Sequence, residues 1–290
     1  MQRFFLPPGA LVGDRVHFPP EVAHQLARVL RMGAGDELWV LLDDGNEHRV
    51  VLTALSRRDA TGRVVESRAN RAEAVLDLTL YPALLKGKSF DWLLQKGTEL
   101  GVHRFRPMVT ARSVADDVAQ RRESKVERWQ SIVREAAEQS ERGRLPTVEA
   151  PLSFKEALAA ASGTHLLLPW EDGGVPLHEA VADKPTTLSL FIGPEGGFTP
   201  HEVEVAQGAG AMIVTLGPRI LRAETAALAG NAPGCRGTTP PPPGNKTPGL
   251  RRAGTPVLRQ YPAGLHYHAV IIAARPATGP QPDQPSEYST

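Results

Sequence analysis

The chain has 290 residues, 41% of them apolar, and a formal net charge of +1 at pH 7. This length suits one large or two ordinary domains, and no apolar run approaches the roughly 18 residues of a membrane helix. The single cysteine, Cys235, excludes an internal disulfide framework and a cysteine-based zinc site. Because no long apolar stretch follows Met1, we expect no signal peptide and a cytoplasmic protein without a membrane segment.

The charge is unevenly distributed along the chain. Residues 230–290 hold six Lys/Arg and two Asp/Glu, which leaves 27 and 30, a net charge of −3, for residues 1–229. Such a body is not a uniformly basic nucleic-acid surface. Any contact with RNA must therefore use local basic patches.

Residues 1 to about 72 contain short runs typical of strands, separated by Gly, Pro and Asp. Two of these runs, Glu37–Leu42 and His48–Leu52, flank a turn at Asp43–Asn46 and predict a hairpin. One helix is predicted at Pro20–Leu30. The apolar residues on one face of that helix are Val22, Leu26, Val29 and Leu30. This pattern predicts a small β-barrel.

Residues 73–229 show strands that alternate with helices, which predicts an α/β domain with a parallel sheet and helices on both faces. The predicted strands include Leu76–Leu85, Phe105–Val109 and His165–Leu168, and the predicted helices include Phe90–Leu100 and Glu123–Arg142. Ser153 with Glu156 predicts a capping box, and Thr199 followed by Pro200 predicts another helix start.

Residues 230–290 differ in composition from the rest of the chain. They hold twelve of the 26 prolines, including Pro240–Pro243. A segment of this composition buries too little apolar surface to offset its ordering entropy, so we predict a disordered tail. The change interrupts the predicted helix Glu224–Ala229 without a natural stop, which indicates a reading-frame change near Gly230.

Two Gly/Pro-rich loops follow predicted buried strands. Gly193–Gly197 comes after Leu188–Ile192, and Leu216–Leu221 comes after Met212–Thr215. Open α/β sheets bind ligands at the carboxyl ends of their strands, and glycine lets the backbone approach a ligand closely. We therefore predict one small-molecule pocket lined by backbone groups. Neither loop has the P-loop or Rossmann pattern, which argues against nucleoside triphosphates and dinucleotides.

Charged residues accompany both loops. Glu195 lies between glycines, where a carboxylate repels phosphate but accepts hydrogen bonds from a hydroxyl, amine or cationic ligand. Arg219, Arg222 and Glu224 lie at a predicted helix start. Two interpretations stay open: Glu224 stabilises the helix and pairs with an arginine, or an arginine holds an anionic substrate group. The scattered histidines give no metal motif and no catalytic triad.

Four segments in this order together resemble the RsmE family, the bacterial 16S ribosomal RNA uridine-N3 methyltransferases of the SPOUT superfamily. They are Lys96–Val102, Glu135–Ser140, Ile192–Gly197 and Leu216–Ala226. The resemblance extends from Arg3 to about Ala229. It implies a PUA-like β-barrel for residues 1–72 and a SPOUT domain for residues 73–229, with a C-terminal trefoil knot of a kind almost absent elsewhere.

The resemblance also implies the cofactor and the assembly. Family members hold S-adenosylmethionine, mainly through backbone groups, in the knot formed by the two loops and a strand end, and they are homodimers with the site near the interface. Carried over by motif, the cofactor-binding residues are Leu168, Gly193, Pro194, Glu195, Gly196, Gly197, Leu216, Gly217, Arg219, Ile220 and Leu221. No metal is implied.

The implied reaction is methylation of uridine N3 in 16S rRNA of the small ribosomal subunit, at position 1498 in the usual rRNA numbering. N3 carries a proton at neutral pH, so the uridine anion needs stabilisation. We expect Arg222 to stabilise the charge on a uracil carbonyl and Glu224 to orient Arg222, with Glu135 or Glu138 as less favoured bases. The expected RNA-backbone contacts are Lys86, Arg112 and Arg142, with the barrel as an additional RNA surface.

Two alternatives stay open. One is a SPOUT ribose 2′-O-methyltransferase, which fits the Arg219–Thr225 segment and the barrel less well. The other is a catalytically inactive RNA-binding or assembly factor. That alternative follows from the altered carboxyl end, because the helix after Glu224 contributes to the knot and to the dimer in the family.

Overall fold

The computed structural model describes residues 1–113 and 122–231. Residues 232–290 lie outside these ranges, and so the predicted disordered tail lies almost entirely outside the described residues. The reading-frame change near Gly230 stays a prediction for the same reason.

The N-terminal part is a six-stranded sheet curved around one apolar core. Its strands are β1 (Arg3–Phe5), β2 (Leu11–Val12), β3 (Arg15–Phe18), β4 (Glu37–Leu41), β5 (Asn46–Leu55) and β6 (Ala60–Ala69), in the order β1-β4-β5-β6-β3-β2. The predicted hairpin is β4–β5, with Leu38 paired to Val50. Phe4, Val16, Leu38, Val50 and Ala60 bring five strands to the same core, as expected for a small barrel.

The predicted helix of this part is shorter and less regular than expected. It consists of α1 (Pro20–His24) followed by a π-helical turn at Gln25–Val29. Leu26 is fully buried, but Val29 is 68% exposed, so the predicted apolar face is wrong at Val29. The cause is the wider turn, in which the N–H of Leu30 donates to the carbonyl of Gln25 and shifts the phase of the later side chains.

The second part contains a seven-stranded sheet in which every pair is parallel, as predicted. Its order is β10-β8-β7-β14-β12-β15-β13. The strands are β7 (Asp77–Pro82), β8 (Arg104–Phe105), β10 (Thr147–Val148), β12 (His165–Pro169), β13 (Val175–Pro176), β14 (Thr187–Ile192) and β15 (Met212–Thr215). A separate parallel pair joins β9 (Met108–Val109) to β11 (Leu152–Ser153).

The predicted strand Phe105–Val109 is wrong as a single element. It is divided into β8, in the large sheet, and β9, in the small one. Pro107 lies between them and has no N–H to donate to a ladder, so the pairing ends there.

Helices cover both faces of the large sheet, as predicted. They are α2 (Ser89–Glu99), α3 (Arg122–Gln139), α4 (Phe154–Ala160), α5 (Leu177–Ala180), α6 (Pro200–Gly208) and α7 (Ala223–Asn231). Successive strand residues point to opposite faces. Leu190 therefore belongs to the core formed with α2, α3 and α7, whereas Phe191 belongs to the core formed with α4 and α6. The predicted capping box at Ser153 is present, and the predicted helix start at Thr199 also forms a capping box, with Glu202.

The sheet order places β14, β12 and β15 side by side, so their carboxyl ends lie at one edge. The predicted trefoil knot concerns how the chain threads at this edge, and it stays a prediction. Within residues 1–113 and 122–231, every helix is too short or too polar to cross a membrane.

Candidate functional site

A cleft of about 580 Å³ lies at the carboxyl ends of β12, β14 and β15. This volume is in the usual range for small-molecule sites. The lining includes both predicted loops, namely Gly193–Gly197 together with Leu216, Gly217, Arg219, Ile220 and Leu221. Arg222 and Glu224 line the same cleft. The fold therefore brings together two segments that are separated by about twenty residues in the sequence.

Leu168 is the one predicted cofactor residue outside the lining. It is fully buried in the core beneath the cleft. The residues that follow it, Pro169, Trp170 and Glu171, line the cleft instead. These three residues were not predicted from the sequence, although the rule that ligands bind beyond the carboxyl ends of strands points to them. Three further lining residues, Ser89, Phe198 and Thr215, were not predicted either.

The first loop requires glycine at Gly197 and has a close neighbour at Gly193. Gly197 has φ +68°, and a Cβ atom there would lie 2.5 Å from Oε1 of Glu171. A Cβ on Gly193 would lie 3.2 Å from the ring of Phe198. A side chain at either position would crowd its neighbours, so the loop backbone itself forms this wall of the cleft.

Neighbouring segments hold the first loop by hydrogen bonds. Oε1 of Glu195 accepts a hydrogen bond of 3.0 Å from the backbone N–H of Lys86. One oxygen of this carboxylate is therefore already bonded to the protein itself. On the other side, Nη1 of Arg112 donates to the carbonyl of Gly196 at 2.6 Å. Lys86 and Arg112 are both exposed beside the cleft, where the sequence predicted contacts with RNA.

The second loop leads into α7. Gly217 has φ +112°, and its N–H donates to the hydroxyl of Thr215 at 3.3 Å. Ile220 is 91% exposed at the mouth of the cleft. Glu224 lies in the first turn of α7. In the described part of the chain neither Arg219 nor Arg222 forms an ion pair with Glu224, so the interpretation as a structural ion pair is not supported.

The position of Arg142 in the structure contradicts its predicted contact with RNA. It is only 2% exposed, and its Nη2 lies 2.9 Å from Oε2 of Glu73. Its Nη1 donates to the carbonyls of Thr98 and Val102. Because these partners occupy the guanidinium inside the protein, Arg142 has a structural role.

Glu135 and Glu138 lie away from the cleft, which argues against either as the base. Both line a smaller cleft of about 360 Å³ next to β1. Oε1 of Glu138 accepts a hydrogen bond of 2.9 Å from the backbone N–H of Phe5. Burial raises the pKa of Glu138, although this hydrogen bond and Arg134 act in the opposite direction. Across the described ranges no three His, Cys, Asp or Glu side chains converge as a metal site.

Comparisons with known protein families define the class of protein to which this chain belongs. A family model described as an RNA methyltransferase domain matches residues 72–232, and one described as an RNA methyltransferase PUA domain matches residues 18–65. Together with the parallel sheet and its cleft, these matches define an RNA methyltransferase with an N-terminal PUA domain.

Comparison with individual relatives then identifies the family within this class. The ribosomal RNA small subunit methyltransferase E of Bacillus subtilis is 34% identical over 242 residues, which cover 79% of this chain and 93% of that protein. Its namesake from Synechocystis is 37% identical over 229 residues, 77% of this chain and 74% of the relative. This chain belongs to the ribosomal RNA small subunit methyltransferase E family, as the four motifs indicated.

The same family supplies a similar solved structure. The Neisseria gonorrhoeae ribosomal RNA small subunit methyltransferase E, crystallised with bound S-adenosyl methionine, has a TM-score of 0.74 and 32% sequence identity to this chain. The similarity covers 80% of this chain and 95% of the other.

Proposed function

We propose that this chain transfers the methyl group of S-adenosylmethionine to N3 of a uridine in 16S rRNA of the small ribosomal subunit. One observation carries the proposal. The two Gly/Pro loops, Arg222 and Glu224 line a single cleft, in a chain similar over most of its length to a relative crystallised with S-adenosyl methionine.

The residues of the cleft fit this cofactor. Gly193 and Gly197 keep their part of the wall free of side chains, so backbone groups can approach a nucleoside closely. The carboxylate of Glu171, against Gly197, suits a ligand with hydroxyl groups and a positive charge. The lining residues of both loops are the proposed cofactor contacts, and Leu168 supports them from the core beneath.

When bound, S-adenosylmethionine supplies a methyl group on a sulfonium, which is already a good leaving group. The protein then has to hold uridine N3 in line with the methyl carbon and exclude water. The side chain of Arg222 is exposed in the cleft. In the proposed mechanism it stabilises the negative charge on a uracil carbonyl as the N3 proton leaves. Glu224 lines the same cleft without pairing with Arg222 in the described structure, and we propose that it orients Arg222 once the uridine is bound.

The RNA has to present its base to this cleft. We propose that the uridine is extruded from its stack and that Lys86 and Arg112, at the edge of the cleft, contact the RNA backbone. The N-terminal sheet adds a second RNA surface. Because residues 1–229 carry a net charge of −3, these contacts are local, and RNA binding is expected to weaken strongly with salt.

We further propose that the chain is a cytoplasmic homodimer with the cleft near the subunit interface. The exposed side chain of Ile220 at the mouth of the cleft supports this arrangement, since a partner subunit would cover it.

Calorimetry with S-adenosylmethionine on the 290-residue chain is the first test, and saturable binding is the expected result. Methylation of small ribosomal subunits followed by nucleoside analysis is the second, and 3-methyluridine is the expected product. A 2′-O-methylated nucleoside would identify a ribose methyltransferase instead. RNA binding without cofactor binding would identify an inactive RNA-binding factor.

A further inference from the structure

The turn Thr110–Ser113 is hydrogen-bonded to the first loop of the cleft and to helix α6, which follows that loop. Arg112 donates from Nη1 to the carbonyl of Gly196 at 2.6 Å. The preceding residue, Ala111, donates its N–H to Oε1 of Glu202 at 2.8 Å. The turn itself is closed by the hydroxyl of Ser113, which accepts from the N–H of Thr110 at 3.1 Å.

The contact between Arg112 and Gly196 involves more than one hydrogen bond. A Cβ atom placed on Gly196 would lie 3.3 Å from Cδ and 3.5 Å from Cβ of Arg112. The aliphatic part of the arginine therefore packs against the glycine while its guanidinium holds the glycine's carbonyl. A hydrogen bond from a charged donor is stronger than one between neutral groups.

Glu202 holds the start of α6, just after the same loop. It is 7% exposed, and its Oε2 accepts from the N–H of Thr199 at 2.9 Å, which caps α6. Since Oε1 holds Ala111, one carboxylate connects the turn to the helix start that follows the loop. The segment Gly193–Thr199 is thus held near its middle by Arg112 and at its end by Glu202.

We propose that Arg112 is a positioning residue of the cofactor site. By holding the carbonyl of Gly196, it keeps the loop in the shape that lines the cleft, and so it raises cofactor affinity before any RNA is bound. This inference rests on the proposed function, and it adds to Arg112 a role that a contact with the RNA backbone does not include.

The test compares Arg112→Ala, Arg112→Lys and the control Arg63→Ala, which removes an exposed arginine of the N-terminal sheet. S-adenosylmethionine affinity is measured by calorimetry without RNA, after circular dichroism has shown that each variant is folded. We expect Arg112→Ala to bind about tenfold more weakly, since a charge-assisted hydrogen bond is lost. Arg112→Lys should recover part of the loss, and Arg63→Ala should bind as the wild type does.

Steady-state kinetics with small ribosomal subunits provide a second measurement. A positioning role raises the KM for S-adenosylmethionine in Arg112→Ala more than it lowers kcat. Wild-type cofactor affinity in Arg112→Ala without RNA would overturn the inference and leave only an RNA contact.

Failure of the proposed function gives a different result from failure of this inference. If the wild-type chain does not bind S-adenosylmethionine, the proposed function fails. Amide hydrogen exchange of Gly196–Phe198 then decides the positioning role. Faster exchange in Arg112→Ala than in Arg63→Ala supports it, and equal exchange overturns it.

Discussion

Arg142 and Glu73 form an ion pair in which Nη2 and Oε2 are 2.9 Å apart, although the two residues are 69 positions apart in the sequence. Arg142 follows α3, whereas Glu73 precedes β7 in the segment that leaves the N-terminal sheet. Oε1 of Glu73 also accepts hydrogen bonds from the backbone N–H groups of Gly143 and Arg144. Through the bonds from Arg142 to Thr98 and Val102, the pair also holds the end of α2.

Removing this arginine should destabilise the fold. We expect Arg142→Ala to lower the free energy of unfolding by about 3 kcal/mol, because it leaves a largely buried carboxylate without its counter-charge. Urea denaturation measures the change, and Arg63→Ala, an exposed position, is the control with an effect of about 0.5 kcal/mol or less. If Arg142→Ala keeps wild-type stability but binds RNA more weakly, the structural role is wrong.

The same pair predicts how stability depends on acid. Burial by itself would raise the pKa of Glu73, but hydrogen bonds and charge from Arg142 outweigh it, and the pKa lies below its ordinary value of 4.5. A carboxyl with a lowered pKa stabilises the fold above pH 4.5, and this contribution is lost as the pH falls through the lowered pKa.

Glu73→Gln tests this dependence. We expect the variant to be less stable than the wild type at pH 7, and the difference to shrink as the pH falls below about 4.5. Thermal unfolding between pH 3 and 7 measures it. Burial and Arg142 lower the pKa of nearby His103, whereas the charge of Glu73 raises it. His103 therefore adds a separate loss of stability below pH 6.5, and this loss is larger in Glu73→Gln than in the wild type. A difference that stays constant down to pH 3 would contradict the prediction.

Gly197→Ala should weaken the cofactor site. Alanine at φ +68° is strained by about 1–2 kcal/mol, and its Cβ would displace the carboxylate of Glu171. The matched control is Gly163→Ala, which has φ +80° but open space around its Cβ. Both variants should lose similar stability. Only Gly197→Ala should lose S-adenosylmethionine affinity, by tenfold or more as measured by calorimetry. Equal losses of affinity in the two variants would mean that backbone strain anywhere in the fold weakens cofactor binding, and that the contact between Gly197 and Glu171 has no special part in it.

Arg222→Ala should lower kcat with little change in the KM for S-adenosylmethionine. Loss of one charge-stabilising donor reduces kcat by about 10²–10³-fold in other enzymes, and we expect that scale here. Arg219→Ala is the control, because Arg219 lines the same loop but is proposed to contact the cofactor through its backbone. Methyl transfer to small ribosomal subunits measures both. Full turnover of Arg222→Ala would remove this residue from the mechanism.

Asn231 at the end of α7 offers a prediction about stability. It is 1% exposed, and neither its Nδ2 nor its Oδ1 has a hydrogen-bond partner among the described residues. A buried amide without partners costs about 1–3 kcal/mol. We expect Asn231→Leu, or Asn231→Ala if leucine is too large, to stabilise the chain by about 1 kcal/mol in urea denaturation. Destabilisation by both would mean that the amide has a partner.

Much of the fold could be predicted because its signals are local. Such signals predicted the hairpin at β4–β5, the capping box at Ser153, the helix start at Thr199 and the strands before the two Gly/Pro loops. Each depends on residues within a few positions of each other. Both loops could be assigned to one cleft because carboxyl ends of neighbouring parallel strands lie at the same edge of a sheet.

The order and spacing of the residues were enough to predict the class of fold, the family and the loops that line the cleft. Which polar side chains are available to a ligand depends on how the elements pack in three dimensions. Arg112 and Arg142 are equivalent as sequence features, yet one is exposed beside Gly196 and the other is buried against Glu73. The burial of a side chain depends on partners distant in the sequence, and local patterns carry no information about such partners.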